Sequence, residues 1–296
     1  MTQHTPTPGQ APLLTYKLQP TTPTARLPAN SCDTHVHIFG PGVRFTYAAD
    51  RTWTPVDAPK ETLFAMHRQM GVSRCVIVQS LIHGFDNRVV EDAIEASERR
   101  YLGVALVPVN VADSELRRLA DAGFKGVRFH FMSKAAVDNT MGDILALTQR
   151  LKPLGLHLQV HFESSMIHHL AGPLARSAVP VVIDHMGRVD AALGAEHADF
   201  AALHDLLKNP QFWVKVSGID RIDPNPPYPH GVPLARLLLE SYPDRCVWGT
   251  DWPHPNHTHV PDDGVLVDAL ARIATTPARL AQLMVTNPQH LYGFTA

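Results

Sequence analysis

The sequence has few cysteines, and it has no apolar run long enough to cross a lipid bilayer. Only three cysteines occur in 296 residues, Cys32, Cys75 and Cys246, and none belongs to a Cys-x-x-Cys pair. This pattern disfavours both a disulfide framework and a thiolate zinc site. The amino terminus also lacks the basic-then-apolar order of a signal peptide. We therefore expect a reduced, cytoplasmic setting and no association with membranes.

Runs of lysine and arginine are also absent. The formal net charge is -2, so neither the whole chain nor a local segment is expected to attract nucleic acid. Any anionic ligand must be bound by a few individually placed basic side chains. Hydrophobic residues make up 45% of the chain and charged residues 18%, which indicates a globular protein with a substantial core.

Residues 1–30 are rich in proline and threonine, and we expect them to form an extended amino-terminal arm. From residue 31 to residue 296, short β-branched runs alternate with amphipathic helical stretches, which predicts one domain. The strand candidates are residues 31–39, 74–80, 102–108, 126–131, 157–162, 180–185, 212–217 and 245–252. The helix candidates are residues 60–70, 88–100, 113–122, 141–151, 165–175, 200–208, 232–241 and about 265–292.

This alternation predicts an α/β protein with a (β/α)8 TIM-type barrel, because eight strands with helices between them fill such a barrel. Gly71, Gly123 and Gly155 stand where helix C-caps are expected, just ahead of a strand. A doubly wound open sheet is the competing fold, and its first turn is usually rich in glycine and opens a helix. Here residues 39–42, Phe-Gly-Pro-Gly, follow the first strand and cannot open a helix. The barrel is therefore favoured.

Histidines and one aspartate end several of the strand candidates. His35 and His37 lie on one face of the first strand, because side chains alternate along a strand. His161 and His185 end the fifth and sixth strands, and Asp251 ends the eighth. The carboxyl ends of barrel strands form the active-site face, so these side chains should converge on one point. Such a group can bind a metal ion or polarise a substrate oxygen.

The chain resembles the amidohydrolase superfamily in this pattern of histidines on strands one, five and six and an aspartate on strand eight. Three segments resemble its lactonase branch, which includes 2-pyrone-4,6-dicarboxylate lactonases, 4-sulfomuconolactone hydrolases and sugar lactonases. They are Asp33-Thr34-His35-Val36-His37, Ile183-Asp184-His185-Met186-Gly187-Arg188 and Gly249-Thr250-Asp251-Trp252-Pro253-His254. The resemblance covers residues from about 30 to 294.

The resemblance implies a hydrolase that opens the ring of an anionic lactone formed in the catabolism of aromatic compounds. Asp251 would act as the general base that takes a proton from water. His35, His37 and His185, with or without a metal ion, would polarise the ester carbonyl and stabilise the oxyanion. The alternative for Asp251 is a carboxylate that caps a turn in the proline-rich segment after it.

Basic residues near the strand ends predict how the anionic substrate is bound. Arg128 lies on the fourth strand, where a buried guanidinium needs an anion. An internal salt bridge, for example to Glu163, is the alternative. Lys134 and Arg221 follow strand ends and can complete a basic rim. The resemblance implies basic contacts at such places, but the family has arginine where this chain has Lys134, so the second acid group of the substrate stays open between carboxylate, sulfonate and none.

Two further substrate contacts are hypotheses. The resemblance implies one for Ser80, at the end of the second strand. Trp53 lies on the long first loop and could form an aromatic wall beside a flat lactone ring, although packing at the barrel mouth would explain it equally well.

The cofactor is left open between one zinc ion and none. The subgroup that this chain resembles includes metal-free members that lack the ligand of strand five, whereas His161 restores it here. A single zinc could then be held by His35, His37, His161, His185 and Asp251. Arg128 occupies the place of the carboxylated lysine of two-metal members, so a two-metal centre is not expected.

Two rival functions remain at this stage. A metal-dependent decarboxylase would use the same barrel and the same histidines but would break a carbon–carbon bond. A non-catalytic anion-binding barrel would keep its function without Asp251. The oligomeric state and the pathway have no signal in the sequence.

Overall fold

Eight buried segments of the chain form parallel β-strands that pair in the order of the sequence. The computed structural model describes residues 12–132, 140–257 and 259–294. The strands are β1 (Cys32–Val36), β2 (Arg74–Val78), β3 (Tyr101–Ala105), β4 (Phe124–Phe131), β5 (His157–Phe162), β6 (Val181–Ile183), β7 (Phe212–Lys215) and β8 (Cys246–Val247). Every residue of β1, β2 and β3 is buried, as expected for a parallel sheet that is covered on both faces.

The seam between β8 and β1 is closed by backbone hydrogen bonds. The amide of Thr34 donates to Trp248 O at 2.9 Å, and the amide of Asp251 donates to His35 O at 2.8 Å. The amide of His37 donates to Trp252 O, directly after Asp251, at 2.6 Å. The predicted (β/α)8 barrel is therefore confirmed, and its closure brings the end of the eighth strand beside the two histidines of the first.

Helices follow the strands along the chain, and all of those described except the helix Pro277–Ala281 contain buried residues. They are α1 (Lys60–Met70), α2 (Arg88–Ala96), α3 (Asp113–Ala122), α4 (Met141–Leu151), α5 (Ile167–Leu174), α6 (Ala198–Leu206), α7 (Ile219–Ile222), α8 (Gly231–Ser241), α9 (Asp263–Ile273), α10 (Pro277–Ala281) and α11 (Asn287–Tyr292). The helix predictions over 60–70, 113–122 and 141–151 are confirmed to the residue. In α2 the buried residues Val89, Val90, Ala93 and Ile94 form one apolar stripe.

Glycine ends α1 and α3 as the sequence predicts. Gly71 has φ 78° and Gly123 has φ 106°, and both residues cap the helix with a left-handed backbone that other residues adopt only at a cost. The chain can then turn directly into the next strand, which keeps each helix close to the barrel.

Six of the eight predicted strands are longer than the strands in the structure. Two of them, residues 180–185 and 245–252, include a residue whose backbone is left-handed, and β6 ends at Ile183 and β8 at Val247. His185 has φ 49° and Asp251 has φ 66°, and a left-handed residue cannot continue a strand. The side chains at these strand ends are therefore aimed by turns and not by the sheet.

The amino-terminal arm is described from residue 12 onward, and residues 1–11 lie outside the described residues. The described part is joined to the barrel by main-chain hydrogen bonds. The amide of Leu13 donates to Thr54 O at 3.0 Å, and the amide of Thr21 donates to Asp262 Oδ1 at 3.0 Å. Within the described ranges, no helix has the length and the apolar character needed to cross a membrane.

His157 shows how tightly the barrel is packed at the amino end of β5. Its ring lies against Gly126 of β4, where a Cβ atom would come within 2.5 Å of His157 Nε2. The side chain is buried, and burial is the main cause that lowers its pKa to about 3. The folded protein therefore keeps this imidazole neutral under conditions in which the unfolded chain protonates it.

This burial predicts a loss of stability with acidification. The unfolded chain binds the proton below pH ~6.5 and the folded protein does not. The contribution of His157 should therefore lower the free energy of unfolding by about 2 kcal/mol when the pH falls from 7 to 5. We expect His157→Gln to remove that part of the pH dependence in urea unfolding, whereas His169→Gln, at an exposed position of α5, should leave the dependence as in the wild type. Equal slopes for all three proteins would contradict the assignment.

Candidate active site

The ends of β1, β6 and β8 bring three imidazoles to one carboxylate oxygen. Asp251 Oδ1 lies 3.6 Å from His35 Nε2, 3.2 Å from His37 Nε2 and 3.7 Å from His185 Nε2. All four side chains are buried. The predicted convergence of His35, His37, His185 and Asp251 is thus present in the geometry, and all three rings present the same nitrogen to the aspartate.

Each ring is held through its other nitrogen. His37 Nδ1 lies 2.7 Å from Val78 O, and His185 Nδ1 lies 3.0 Å from the hydroxyl of Ser217. A carbonyl oxygen can only accept a hydrogen bond, so His37 carries its proton on Nδ1 and has a lone pair on Nε2. The Ser217 hydroxyl can donate or accept, which leaves His185 free to carry a proton on Nε2.

Burial keeps the three histidines neutral. It is the largest cause that lowers the pKa values of His35 and His37, and it lowers the pKa of His185 to about 3. Asp251 behaves in the opposite way. Burial raises its pKa, but the charge of Arg221 is the main opposing cause, and the pKa of Asp251 lies well below its usual range. The site at neutral pH therefore consists of an aspartate anion facing uncharged rings.

Arg221 binds the second oxygen of this aspartate. Its Nε donates to Asp251 Oδ2 at 2.5 Å, and its Nη2 donates to Pro255 O at 2.8 Å. The sequence predicts Arg221 as part of a basic rim for the substrate, and that role stays a prediction. The contact that the structure gives it is with Asp251, which it orients and keeps ionised.

A second buried carboxylate, Asp184, lies behind the first. It accepts hydrogen bonds from Arg128 Nε at 2.8 Å and from Gln159 Nε2 at 3.1 Å, and its Oδ1 lies 3.2 Å from His35 Nδ1. The internal ion pair considered for Arg128 therefore exists with Asp184. Lys215, fully buried on β7, lies 3.6 Å from the same carboxylate, and burial lowers the pKa of Lys215 to about 8. Asp184 thus carries the compensating charge for two buried cations.

Sequence reasoning missed Asp184, Lys215 and Asp33 as parts of the site. Asp33 Oδ2 accepts from the Thr250 hydroxyl at 2.6 Å, and Asp33 Oδ1 accepts from the amide of His35 at 3.1 Å. This carboxylate therefore links the start of the first strand to the turn that carries Asp251. A signal was available, because charged residues inside barrel strands are costly unless they are paired.

His161 lies farther from the aspartate than the other histidines. Its Nδ1 is 3.3 Å from His130 Nδ1, and its ring centroid is 5.5 Å from that of His185. Its Nε2 is buried and has no hydrogen-bond partner among the described residues. Its role as a metal ligand stays a prediction. Lys134, predicted to bind substrate, lies outside the described residues.

Ser80 and Trp53 lie around the first two strands. The Ser80 hydroxyl accepts from the amide of Ile82 at 3.3 Å and so caps a short helical turn. Trp53 is buried and packs edge-on against Phe39, with ring centroids 5.8 Å apart, and Phe39 stacks on His37 at 6.4 Å. Their predicted substrate contacts remain predictions, and Trp53 supports His37 through Phe39.

The donor set fits one metal ion. Within the described part of the chain, possible ligand atoms of His35, His37 and Asp251 lie within 4.8 Å of one another, and so do those of His35, Asp184 and His185. Asp251 Oδ1 and His35 Nε2 are buried without hydrogen-bond partners. The lone pair of His37 Nε2 faces the anionic Oδ1 at 3.2 Å, which is repulsive unless a positive centre lies between them. Two imidazoles and a carboxylate are ligands that zinc accepts.

The comparisons with known proteins decide the family. The sequence profile described as Amidohydrolase matches residues 32–294. The chain belongs to the amidohydrolase family. The resemblance predicted from the strand-end motifs is therefore confirmed over the whole barrel.

Similar proteins cover almost the full length of this amidohydrolase. A 2-pyrone-4,6-dicarboxylate hydrolase of Comamonas testosteroni is 39% identical over 99% of this chain and 98% of its own length. A 4-sulfomuconolactone hydrolase of Hydrogenophaga intermedia is 38% identical over 91% of each chain. A crystal structure of a probable 2-pyrone-4,6-dicarboxylic acid hydrolase from Acinetobacter baumannii, with citric acid bound, superposes with a TM-score of 0.79 at 25% identity, covering 90% of this chain and 100% of that one.

Gly218 positions His185 in a way that can be tested. Its φ is 62°, and a Cβ atom at this residue would come within 2.7 Å of His185 Nδ1. Gly293 has nearly the same backbone, with φ 68° and ψ 38° against 62° and 35° for Gly218, but has nothing within 4 Å of its Cβ position. The two glycines therefore share the backbone requirement and differ in the contact with His185.

We expect Gly218→Ala to lower kcat/KM roughly 10²-fold by displacing His185. Gly293→Ala should carry the same backbone penalty of about 1 kcal/mol and keep its activity. Steady-state kinetics and urea unfolding of both variants separate the two effects. Equal activities of the two variants would show that the packing of Gly218 against His185 has no catalytic consequence.

Proposed function

We propose that this amidohydrolase opens the ring of an anionic lactone, of the 2-pyrone-4,6-dicarboxylate or sulfomuconolactone type, by hydrolysis. By its family and by relatives at 39% and 38% identity the chain is a lactone hydrolase. The observation that carries the proposal is the ionised Asp251, fixed at the barrel mouth with one oxygen facing three neutral imidazoles.

Asp251 is the general base in this proposal. Its Oδ2 is occupied by Arg221, while its Oδ1 has no hydrogen-bond partner among the described residues and is the oxygen that can accept a proton from water. The contact with Arg221 keeps Asp251 ionised, but it also weakens its basicity. An efficient reaction therefore needs a second group that makes the attacking water more acidic or the carbonyl more electrophilic.

The histidines supply the electrophilic side. His185 can direct an Nε2 proton at the carbonyl oxygen because its Nδ1 faces the Ser217 hydroxyl. His37 cannot, because its Nε2 has a lone pair. His35 and His37 are thus better suited to hold one zinc ion together with Asp251, with His185 and His161 nearby. Zinc at such a site supplies Lewis acidity toward a carbonyl oxygen or water. Catalysis by the residues alone is the alternative, and it would depend on His185.

Positive charge at the mouth favours an anionic substrate. Burial and the neighbouring cation Arg221 together lower the pKa of Arg188 to about 10, so an anion bound here would relieve this repulsion. Arg128 of β4 is a third guanidinium, and its charge also lowers the pKa of Arg188. We propose that these residues, with Lys134 after β4, bind the acid groups of the lactone. The bound citrate of the Acinetobacter baumannii protein is a carboxylate ligand in a related barrel.

The role of the base is tested by Asp251→Asn. We expect a folded protein whose turnover of a carboxylated or sulfonated lactone falls by roughly 10²-fold or more. Asp199→Asn, on the outer helix α6, is the matched control, and its turnover of the lactone should equal that of the wild type. Turnover near the wild-type value in a folded Asp251→Asn protein would contradict the mechanism.

The role of Arg128 is tested with a pair of substrates. Arg128→Met should raise the KM for an acidic lactone far more than the KM for its neutral methyl ester, because only the acid can pair with the guanidinium. Arg150→Met removes a guanidinium from α4 and should change neither constant. If the Arg128 variant handles both substrates equally poorly, Arg128 serves only to pair with Asp184.

A further inference from the structure

Three histidines after β8 take no part in the site described above. They follow the pattern His254-x-x-His257-x-His259 and precede α9. The structure brings them to Asp220 of the short helix α7. Asp220 Oδ2 lies 2.5 Å from His257 Nε2 and 3.6 Å from His259 Nε2. Possible ligand atoms of Asp220, His254 and His257 all lie within 4.8 Å of one another.

This group, which we call the loop cluster (Asp220, His254, His257 and His259), is buried and poorly satisfied. The side chains of Asp220, His254 and His257 are at most 2% exposed, and that of His259 is 31% exposed. Among the described residues, neither oxygen of Asp220 and neither ring nitrogen of His257 or His259 has a hydrogen bond of good geometry. Apart from the close contact between His257 Nε2 and Asp220 Oδ2, these polar atoms are buried without partners among the described residues. Such burial is costly, and a bound cation would satisfy them together.

His254 is oriented in the manner of a metal ligand. Its Nε2 lies 3.1 Å from Oδ1 of the buried Asp263, and its Nδ1 is buried without a partner. A carboxylate on the far nitrogen of a histidine is the usual support for a metal-bound imidazole. Asp220 and Asp263 also bring two buried carboxylates to this cluster, a charge that a divalent cation would balance.

We propose that the loop cluster binds a divalent metal ion of the zinc class, at a site separate from the one that His35, His37 and Asp251 could form. Asp220, His254 and His257 would be its buried ligands, and His259 the ligand nearest the surface. Imidazole with carboxylate is a donor set that zinc favours over calcium or magnesium. The inference does not depend on the reaction, because no member of the loop cluster belongs to the group around Asp251.

A metal ion bound by the loop cluster would make the segments that hold Arg221 against Asp251, the proposed general base, more rigid. Arg221 follows Asp220 directly in α7, and its Nη2 donates to the carbonyl of Pro255, between His254 and His257. The ligands therefore come from both segments that hold Arg221 against Asp251. The ion would fix the loop after β8 to α7 and so stabilise the fold locally.

Zinc stoichiometry of the full-length protein tests the proposal. The protein is stripped with a chelator and equilibrated with zinc buffered at micromolar free concentration, and the bound metal is counted by elemental analysis. We expect the barrel-centre variant His35→Gln/His37→Gln to keep one equivalent of zinc. Asp220→Asn/His257→Gln should lose one equivalent relative to the wild type. The wild type and the loop-cluster variant should also differ in the rise of Tm on adding zinc.

Two further variants keep the test decisive. His168→Gln alters a surface histidine that pairs with Asp199 at 2.9 Å, and it should bind as much zinc as the wild type. His259→Gln changes the most exposed ligand and should fold even if the buried changes do not, with zinc affinity lowered roughly tenfold or more. Either of two results would overturn the proposal. The first is a barrel-centre variant that binds no zinc. The second is a His259→Gln protein with unchanged zinc affinity, together with a folded Asp220→Asn/His257→Gln protein that binds as much zinc as the wild type.

Discussion

The ionised carboxylate of Asp251 is the constraint on which the rest of the site depends. It is fully buried, and a buried anion persists only if charge and polar contacts compensate it. Arg221 provides the charge on one oxygen, and three imidazoles surround the other. Because the rings stay neutral, the carboxylate is not neutralised by a proton and remains able to accept one. The same arrangement leaves room for one positive centre.

Charge compensation continues below this layer. Asp184 pairs with Arg128, Lys215 and His35, so two cations from different strands are fixed around one anion. The two buried carboxylates thus have different partners. Asp184 pairs with the two cations and with His35 Nδ1, whereas Asp251 contacts Arg221 and the Nε2 atoms of the three histidines and is the proposed general base. Replacing either would leave buried charges without partners, which usually costs several kcal/mol.

The sequence predicts the barrel and its rim better than it predicts the turns. Helical periodicity locates α1, α3 and α4 to the residue, because their apolar stripes, and in α1 and α3 the glycine caps, are local signals. The strand-end histidines and Asp251 follow from the rule that barrel sites lie at carboxyl ends. The left-handed backbone of His185 and Asp251 has no such signal, because only tertiary contacts stabilise it.

The ion pairs of the site could not be predicted from the sequence either. Arg128 on β4 meets Asp184 after β6, and Arg221 in α7 meets Asp251 after β8, so each partner is distant in sequence. A polar residue in a strand signals that a partner exists but not which one it is. The histidines after β8 could not be assigned for the same reason, since their aspartate comes from the preceding βα unit.

The most direct test of the account is the fate of water during the reaction. The enzyme is given a carboxylated or sulfonated lactone in water labelled with heavy oxygen, and the product is analysed by mass spectrometry. Hydrolysis by acyl–oxygen cleavage predicts a ring-opened acid with one heavy oxygen in its new carboxylate and no release of carbon dioxide. Carbon dioxide with an unlabelled product would contradict the account and would indicate decarboxylation in the same barrel.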